Sequence, residues 1–102
     1  MKNLLFSWGG LVLDGSRVTC GEAAIELSHK ENRLLRIMLT HRSECLSREE
    51  IYFGLTGRHL PSGSRSIDVH ISALNRKIRT IAPAHISGNM IESVRNTGYL
   101  IP

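Results

Sequence analysis

The chain has 102 residues, enough for one domain with a modest hydrophobic core. Hydrophobic residues make up 41% and charged residues 22%, as in soluble globular proteins, and the net charge of +4 favours acidic partners. No apolar run approaches the roughly 18 residues that a membrane span needs. No signal peptide is visible either, so we expect a cytoplasmic protein.

Residues 3–27 are predicted to form an antiparallel sheet of three or four short strands. Apolar side chains alternate with other residues in four segments, and turns containing glycine separate the segments. One covered face of a sheet explains this alternation. The alternating pairs are Leu4 and Phe6, Leu11 and Leu13, Val18 and Cys20, and Ile25 and Leu27, and the turn glycines are Gly9, Gly10, Gly15 and Gly21.

The two cysteines, Cys20 and Cys45, are far apart in the sequence and lack a C-x-x-C spacing. A disulfide-stabilised domain of this length would need more of them. We therefore expect both cysteines to be small, reduced and buried side chains.

Two short helices are predicted next, and each begins with the pattern of a capping box. In this pattern a serine and a glutamate three residues later each satisfy a free backbone N–H group. The pairs are Ser28 with Glu31 and Ser47 with Glu50. We expect the first helix to end near Thr40 and the second near residues 54–57. Composition then predicts a loop over residues 56–63.

Residues 64–81 predict an amphipathic helix, with Ser64 as its N-cap and Pro83 beyond its end. Four basic side chains against one acid make it the most basic element for its length. The apolar residues form one narrow stripe, and arginines, small residues and one valine occupy the opposite side. The stripe contains Ile67, Ile71, Leu74, Ile78 and Ile81; the outer side contains Arg65, Val69, Ser72, Arg76 and Arg79, flanked by His70, Ala73 and Lys77.

The C-terminal residues predict a β-hairpin. After a turn at residues 87–89, residues 90–94 form one strand, residues 96–98 the turn and residues 99–101 the returning strand. Arg95 at the edge of the turn is suited to phosphate or to a narrow minor groove. By itself it is better explained as a solvated turn residue. Next to a basic helix, the DNA interpretation is favoured.

Helix, short helix, loop and basic helix, followed by a hairpin, is the order of a winged helix-turn-helix, whose last helix lies in the major groove. The predicted fold class is α+β. One domain of residues 1–102 would contain an N-terminal sheet (3–27), a three-helix core (28–82) and a wing (86–102). Arg65 and Arg76 would be the main electrostatic contacts with duplex DNA, and Val69 and Ala73 would contact thymine methyl groups.

Three segments also resemble OmpR/PhoB-type response regulators, and the resemblance covers nearly the whole chain. Residues 64–78 resemble the recognition helix, residues 46–50 the start of the second helix and residues 91–99 the wing. The resemblance implies a DNA-binding effector domain of a bacterial two-component transcription regulator, with a four-stranded sheet. It also implies a second copy on tandem half-sites. No receiver domain is present in this chain.

The resemblance implies contacts at matching positions. Arg65, Ser66, Val69 and His70 match positions that touch DNA, Arg95 matches an arginine that enters the minor groove, and Tyr99 matches a tyrosine near the DNA backbone. With the outer helical side, the predicted DNA-binding residues are Arg65, Ser66, Val69, His70, Ser72, Ala73, Arg76, Lys77, Arg95 and Tyr99. The loop matches the region where activators contact RNA polymerase, so Arg58, His59 and Leu60 are candidate polymerase contacts.

The sequence also departs from the family pattern. Ser72, Ala73 and Asn75 stand where many members have arginine, and Thr56 stands where many have tryptophan. Fewer arginines means fewer donors for guanine N7 and O6. We therefore expect greater use of Arg65, Arg76, Arg95 and of thymine methyl or shape readout. Because the helix has fewer arginines than the family pattern, a rival function is also open: a winged helix that contacts another protein.

Neither catalysis nor a metal or other cofactor is expected. The five histidines (His29, His41, His59, His70 and His85) lack a ligand spacing such as H-x-x-x-H, and no serine lies in a G-x-S-x-G motif. Asp68 and His70 are two residues apart on a helix and do not face each other. We expect Asp68 to pair with an arginine and fix the helix. His70 would be a neutral hydrogen-bond partner or a phosphate contact.

Overall fold

Four short strands begin the fold, in a computed structural model that describes residues 4–5, 10–83, 86 and 88–102. They form an antiparallel sheet in the order β1-β2-β3-β4. The strands are β1 (Leu4–Leu5), β2 (Val12–Asp14), β3 (Arg17–Cys20) and β4 (Ala23–Glu26). Phe6, Gly9 and His85, which were named in the sequence-based predictions, lie outside the described residues, as does residue 87 of the predicted turn.

The sheet covers the helices with one face. Leu13 pairs with Val18, and Val18 pairs with Ile25 on the next strand. Leu13 and Val18 are fully buried, while Ile25 packs against the core from a partly buried position. The alternation therefore predicted the buried face correctly. The expectation that Cys20 and Cys45 are buried is wrong, because both are partly exposed.

The first two helices begin at the predicted caps. Helix α1 (His29–Thr40) follows Ser28, and helix α2 (Arg48–Thr56) follows Ser47. Both capping boxes are formed, with backbone-to-carboxylate distances of 2.7 Å for Ser28 N to Glu31 Oε1 and 2.9 Å for Ser47 N to Glu50 Oε1. Helix α2 ends at Gly57, whose left-handed backbone (φ 73°) favours glycine.

Helix α3 (Ser66–Arg79) begins one residue later and ends two residues earlier than predicted. Its N-cap is Arg65, not Ser64, although the Ser64 hydroxyl still accepts a hydrogen bond from the Ser66 N–H at 3.3 Å. At the other end, the N–H groups of Ile81 and Ala82 donate to the carbonyl oxygens three residues earlier. These bonds form a tighter turn between the helix and Pro83. The predicted stripe is otherwise confirmed: Ile67, Ile71, Leu74 and Ile78 are buried.

The wing consists of β5 (Glu92–Val94) and β6 (Gly98–Leu100), joined by residues 95–97. Gly98 belongs to the returning strand instead of the turn, because it pairs with Val94. The sequence did not predict a third partner. Leu46, just before α2, exchanges two backbone hydrogen bonds of 2.9 Å with Tyr99. The wing is thereby attached to the helix-turn-helix by backbone pairing.

Asn75 is the one buried polar residue among the described residues. Its side-chain amide donates to the Ile91 carbonyl oxygen and accepts from the Ile91 N–H, both at 3.0 Å. Because both the NH2 group and the oxygen of this buried amide are hydrogen-bonded, they hold the start of the wing against α3. Asn75 therefore has a role inside the domain and does not belong to the exposed side of α3.

Candidate nucleic-acid interface

Five predicted contact residues lie together on the outer side of α3. They line one shallow depression with Asp68 between them, and all five are exposed. Val69 is 61% exposed, unusually high for a valine. The five are Arg65, Val69, Ser72, Ala73 and Arg76. Two cations thus flank a small, partly apolar surface that a flat partner can approach closely.

Ser66 and His70 lie on a different side of α3. Both are partly buried and line a cavity with α1 and α2. Burial, and secondarily the ammonium group of Lys30, lower the pKa of His70 below its ordinary value of 6.5. His70 is therefore neutral near pH 7, as expected of a hydrogen-bonding group rather than a cation.

Two further cations of α3 bind within the domain. The Lys77 ammonium lies 2.9 Å from Glu31 Oε1 on α1. Arg79 donates to the carbonyl oxygens of Ile86, at 2.6 Å, and Gly88. These contacts join α3 to α1 and to the segment before the wing. Fewer positive side chains of α3 are therefore available to DNA than its sequence suggests. DNA contact by Lys77 stays a prediction and requires that its ion pair open.

A cluster of Arg48, Asp68 and Tyr99 connects α2, α3 and the wing. Arg48 Nε and Nη2 each lie 2.8 Å from Asp68 Oδ1, and the Tyr99 hydroxyl donates to the same oxygen. The Arg48 guanidinium also lies over the Tyr99 ring, 5.2 Å from its centroid. The expected pairing of Asp68 with an arginine is confirmed.

The Arg48–Asp68–Tyr99 cluster also gives Tyr99 a role inside the domain. The residue is 8% exposed, and its hydroxyl is bound to Asp68. Its contact with the DNA backbone stays a prediction. Sequence reasoning did not name Arg48, although Asp68, the lone acid of a basic helix, signalled a partner elsewhere in the domain.

The ionisation of the cluster follows its geometry. The hydrogen bond from Tyr99 is the main reason that the pKa of Asp68 is lowered, with Arg48 and Arg65 adding to it. The hydrogen bond to Asp68 raises the pKa of Arg48. Burial, and then Asp68, raise the pKa of Tyr99. At neutral pH the cluster therefore contains a carboxylate, a guanidinium and a neutral phenol.

Acid should weaken the cluster. Because the pKa of Asp68 is lower in the folded state than its ordinary 3.8, its stabilisation is present above that value and is lost as pH falls through the folded pKa. Tyr99→Phe removes the main cause, so it should reduce the loss of stability between about pH 7 and about pH 3. Urea midpoints at both pH values measure this, with Tyr52→Phe as the control. An unchanged pH dependence in Tyr99→Phe would contradict the assignment.

Arg95 is exposed in the loop of the wing. The Thr97 hydroxyl donates to the Arg95 carbonyl oxygen, and the Thr97 N–H donates to Val94. Asn96 beside it adopts a left-handed backbone (φ 59°), which asparagine tolerates. The loop backbone is thus ordered by its own hydrogen bonds, while the arginine side chain projects from it.

The loop between α2 and α3 is organised by Glu49. Its carboxylate lies 2.9 Å from His59 Nδ1 and accepts the Leu60 N–H at 3.1 Å. The Thr56 hydroxyl accepts the Arg58 N–H at 3.1 Å. The His59 side chain remains 90% exposed, and Arg58 is exposed too. Of the three candidate polymerase contacts, Arg58 and His59 are exposed and Leu60 is partly buried, on a loop whose backbone is held by Glu49 and Thr56.

A four-stranded sheet, three helices and a hairpin fixed beside the last helix define a winged helix-turn-helix domain, a class built to bind DNA. Residues 21–101 match the family described as "Transcriptional regulatory protein, C terminal". The chain therefore belongs to the OmpR/PhoB-type family of transcriptional regulators, as their DNA-binding domain.

Relatives and solved structures agree with this assignment. The chain is 34% identical over 92 residues to the phosphate regulon transcriptional regulatory protein PhoB of Escherichia coli, covering 88% of this chain but 38% of PhoB. It is 30% identical to the Klebsiella pneumoniae RstA DNA-binding domain, solved in complex with the RstA box (TM-score 0.79, covering 99% and 97% of the two chains). The DNA-binding domain of CpxR from E. coli is 27% identical (TM-score 0.77, 99% and 96%).

The described residues lack two features that are typical of other classes of protein. Within these ranges, no group of three or more histidine, cysteine, aspartate or glutamate side chains is arranged to hold a metal ion. No helix in the same ranges has the length and apolar character needed to cross a membrane.

Proposed function

We propose that α3 lies in the major groove of duplex DNA and that Arg95 enters the flanking minor groove. The observation that supports this most strongly is the exposed outer side of α3, where Arg65 and Arg76 flank Val69. The wing is fixed to the same helix by Asn75 and by the Arg48–Asp68–Tyr99 cluster. A helix and a wing held in one orientation can engage neighbouring grooves together.

The proposed readout uses few guanine contacts. Arg65 and Arg76 bind phosphate or guanine, and Val69 and Ala73 approach thymine methyl groups. Ser72 is exposed in the same depression and is suited to a hydrogen bond with either a base or a phosphate. The preferred operator should therefore be rich in A·T base pairs, with a narrow minor groove beside each half-site.

The chain spans 38% of the length of PhoB. We propose that it is the effector domain of a bacterial response regulator that acts in the cytoplasm as one domain of residues 1–102. Because one domain offers few cations, two copies on tandem half-sites about 10 bp apart would supply the necessary affinity and specificity. Arg58, His59 and Leu60 are the proposed contact with RNA polymerase; the exposure of Arg58 and His59 and the hydrogen-bonded backbone of the loop support this role.

Salt dependence tests DNA binding directly. If Arg65, Arg76 and Arg95 each neutralise one phosphate, raising salt from about 50 to 200 mM should weaken binding to a random duplex by about 40-fold, since the slope is about −0.9 per contact. Electrophoretic shifts at the two concentrations measure this. Selection of bound genomic fragments would then give the half-site and its spacing. Binding that does not weaken with salt would contradict the proposal and favour the rival protein-contact function.

A further inference from the structure

A cavity of about 310 Å³ opens between α1, α2 and the first turns of α3. Leu55 and Ile67 in its wall belong to the hydrophobic core, and Tyr52 is partly buried beside them. A cavity of this size lies at the lower end of the range for small-molecule sites, which are mostly apolar with a few polar groups. An apolar body of a few carbon atoms would replace water against these side chains.

The rim of the same cavity is positive. His29, Lys30 and Arg33 on α1 and His70 on α3 lie around it, and none of its ten lining residues, all within the described ranges, has a carboxylate. The Arg33 guanidinium is held over α2 by a contact of 3.4 Å from Nη2 to the Gly54 carbonyl oxygen. Lys30 is exposed, and its charge acts on His70. Lys30 and Arg33 thus face a cavity whose lining residues include no aspartate or glutamate.

We infer that this cavity is a binding site for a small organic carboxylate with a short apolar body. The carboxylate would lie between Lys30 and Arg33, where charge-assisted hydrogen bonds are available from both. The apolar body would pack against Leu55 and Ile67. A nucleic-acid backbone would bind this cavity less well, because a phosphodiester has no apolar part that could pack against Leu55 and Ile67.

An occupied cavity would also affect DNA binding, a consequence that depends on the proposed function. Ser66 and His70 line the cavity and are predicted DNA contacts as well. A bound anion places negative charge beside the phosphates that α3 approaches, so the two ligands oppose each other. The binding site itself requires no DNA and can be tested without it.

Titrations followed by ¹H–¹⁵N correlation NMR test the site, with hexanoate as the probe. Hexanoate should give saturable shifts concentrated in residues 29–33, 52–56 and 64–70. Hexanamide lacks the charge, and inorganic phosphate lacks the apolar body, so each should bind at least about tenfold more weakly. Shifts that do not saturate, or equal binding of either control compound, would overturn the inference.

Charge removal locates the carboxylate. Lys30→Gln and Arg33→Gln should each weaken hexanoate binding about threefold, and the double variant about tenfold, since these cations are on the rim. Arg17→Gln is the matched control because it loses the same charge at a residue of the N-terminal sheet that does not line the cavity. Equal weakening in Arg17→Gln would show that only net charge matters and would overturn the site.

A duplex-binding measurement in the presence of hexanoate distinguishes failure of this inference from failure of the proposed function. Saturating hexanoate should weaken duplex binding by the wild-type chain, with hexanamide as the control for solvent effects. If hexanoate binds at the cavity but the chain binds no duplex under any salt condition, the proposed function fails and the site stands. If the chain binds duplex but hexanoate does not bind, the site fails and the proposed function stands.

Discussion

Replacing Arg65 and Arg95 together with alanine should reduce affinity for the cognate operator about 100-fold. Each arginine is expected to contribute about 1.4 kcal/mol, within the range for a specific contact, and that energy corresponds to about tenfold in affinity. The two residues are on α3 and on the wing, so their effects should be nearly additive. Both are exposed, and their removal should leave the fold intact.

Fluorescence anisotropy with a labelled operator at fixed salt measures this effect, and circular dichroism confirms that the variants are folded. Arg17→Ala is the control for each single substitution, because this exposed arginine pairs with Glu26 on the N-terminal sheet and its loss lowers the net charge by one, as each single variant does. The single Arg95→Ala variant should also lose its preference for A-tract flanks, since it would remove the minor-groove contact. An affinity within twofold of wild type for the double variant would refute the contact assignment.

Gly98→Ala should destabilise the domain by about 3 kcal/mol or more. A Cβ atom at this position would lie 1.9 Å from the Leu46 carbonyl oxygen and 2.7 Å from its carbonyl carbon. Both are backbone atoms, which cannot rotate away, so the wing must separate from the segment before α2. That separation breaks the two Leu46–Tyr99 hydrogen bonds and pulls Tyr99 away from Asp68.

Urea denaturation at neutral pH measures the loss in unfolding free energy. The corresponding fall in the melting temperature is about 12 °C or more for a domain of this size. Ser93→Ala, at an exposed position on the neighbouring strand, is the control and should change stability by less than about 0.5 kcal/mol. A Gly98→Ala variant as stable as Ser93→Ala would mean that the wing does not pair closely with Leu46.

Much of the fold could be predicted from local sequence patterns. The serine–glutamate spacings located the starts of α1 and α2, because a capping box depends only on residues three apart. The four-three repeat of isoleucine and leucine identified the buried side of α3, and the opposite side followed from the helical period. The exposure of Val69 and the place of Arg95 in the wing were predicted on the same basis.

The hydrogen-bond and ion-pair partners of individual polar side chains could not be predicted in this way. Lys77 and Arg79 count as cations in the sequence, but the structure places them against Glu31 on α1 and against carbonyl oxygens before the wing. Asn75 lies at the edge of the apolar stripe in a helical projection, but its hydrogen bonds with Ile91 form only because the wing packs there. Such contacts join residues distant in sequence, and no local period encodes them.

The sequence by itself determined the order of elements, the buried stripe of α3 and the family, because these depend on spacing and residue type within short segments. Only the tertiary structure decided which cations face outward, how Asp68, Arg48 and Tyr99 fix the wing, and that a cationic cavity lies beside α3. The physical reason is that burial and electrostatic pairing depend on distances between elements, and packing of the whole chain sets those distances.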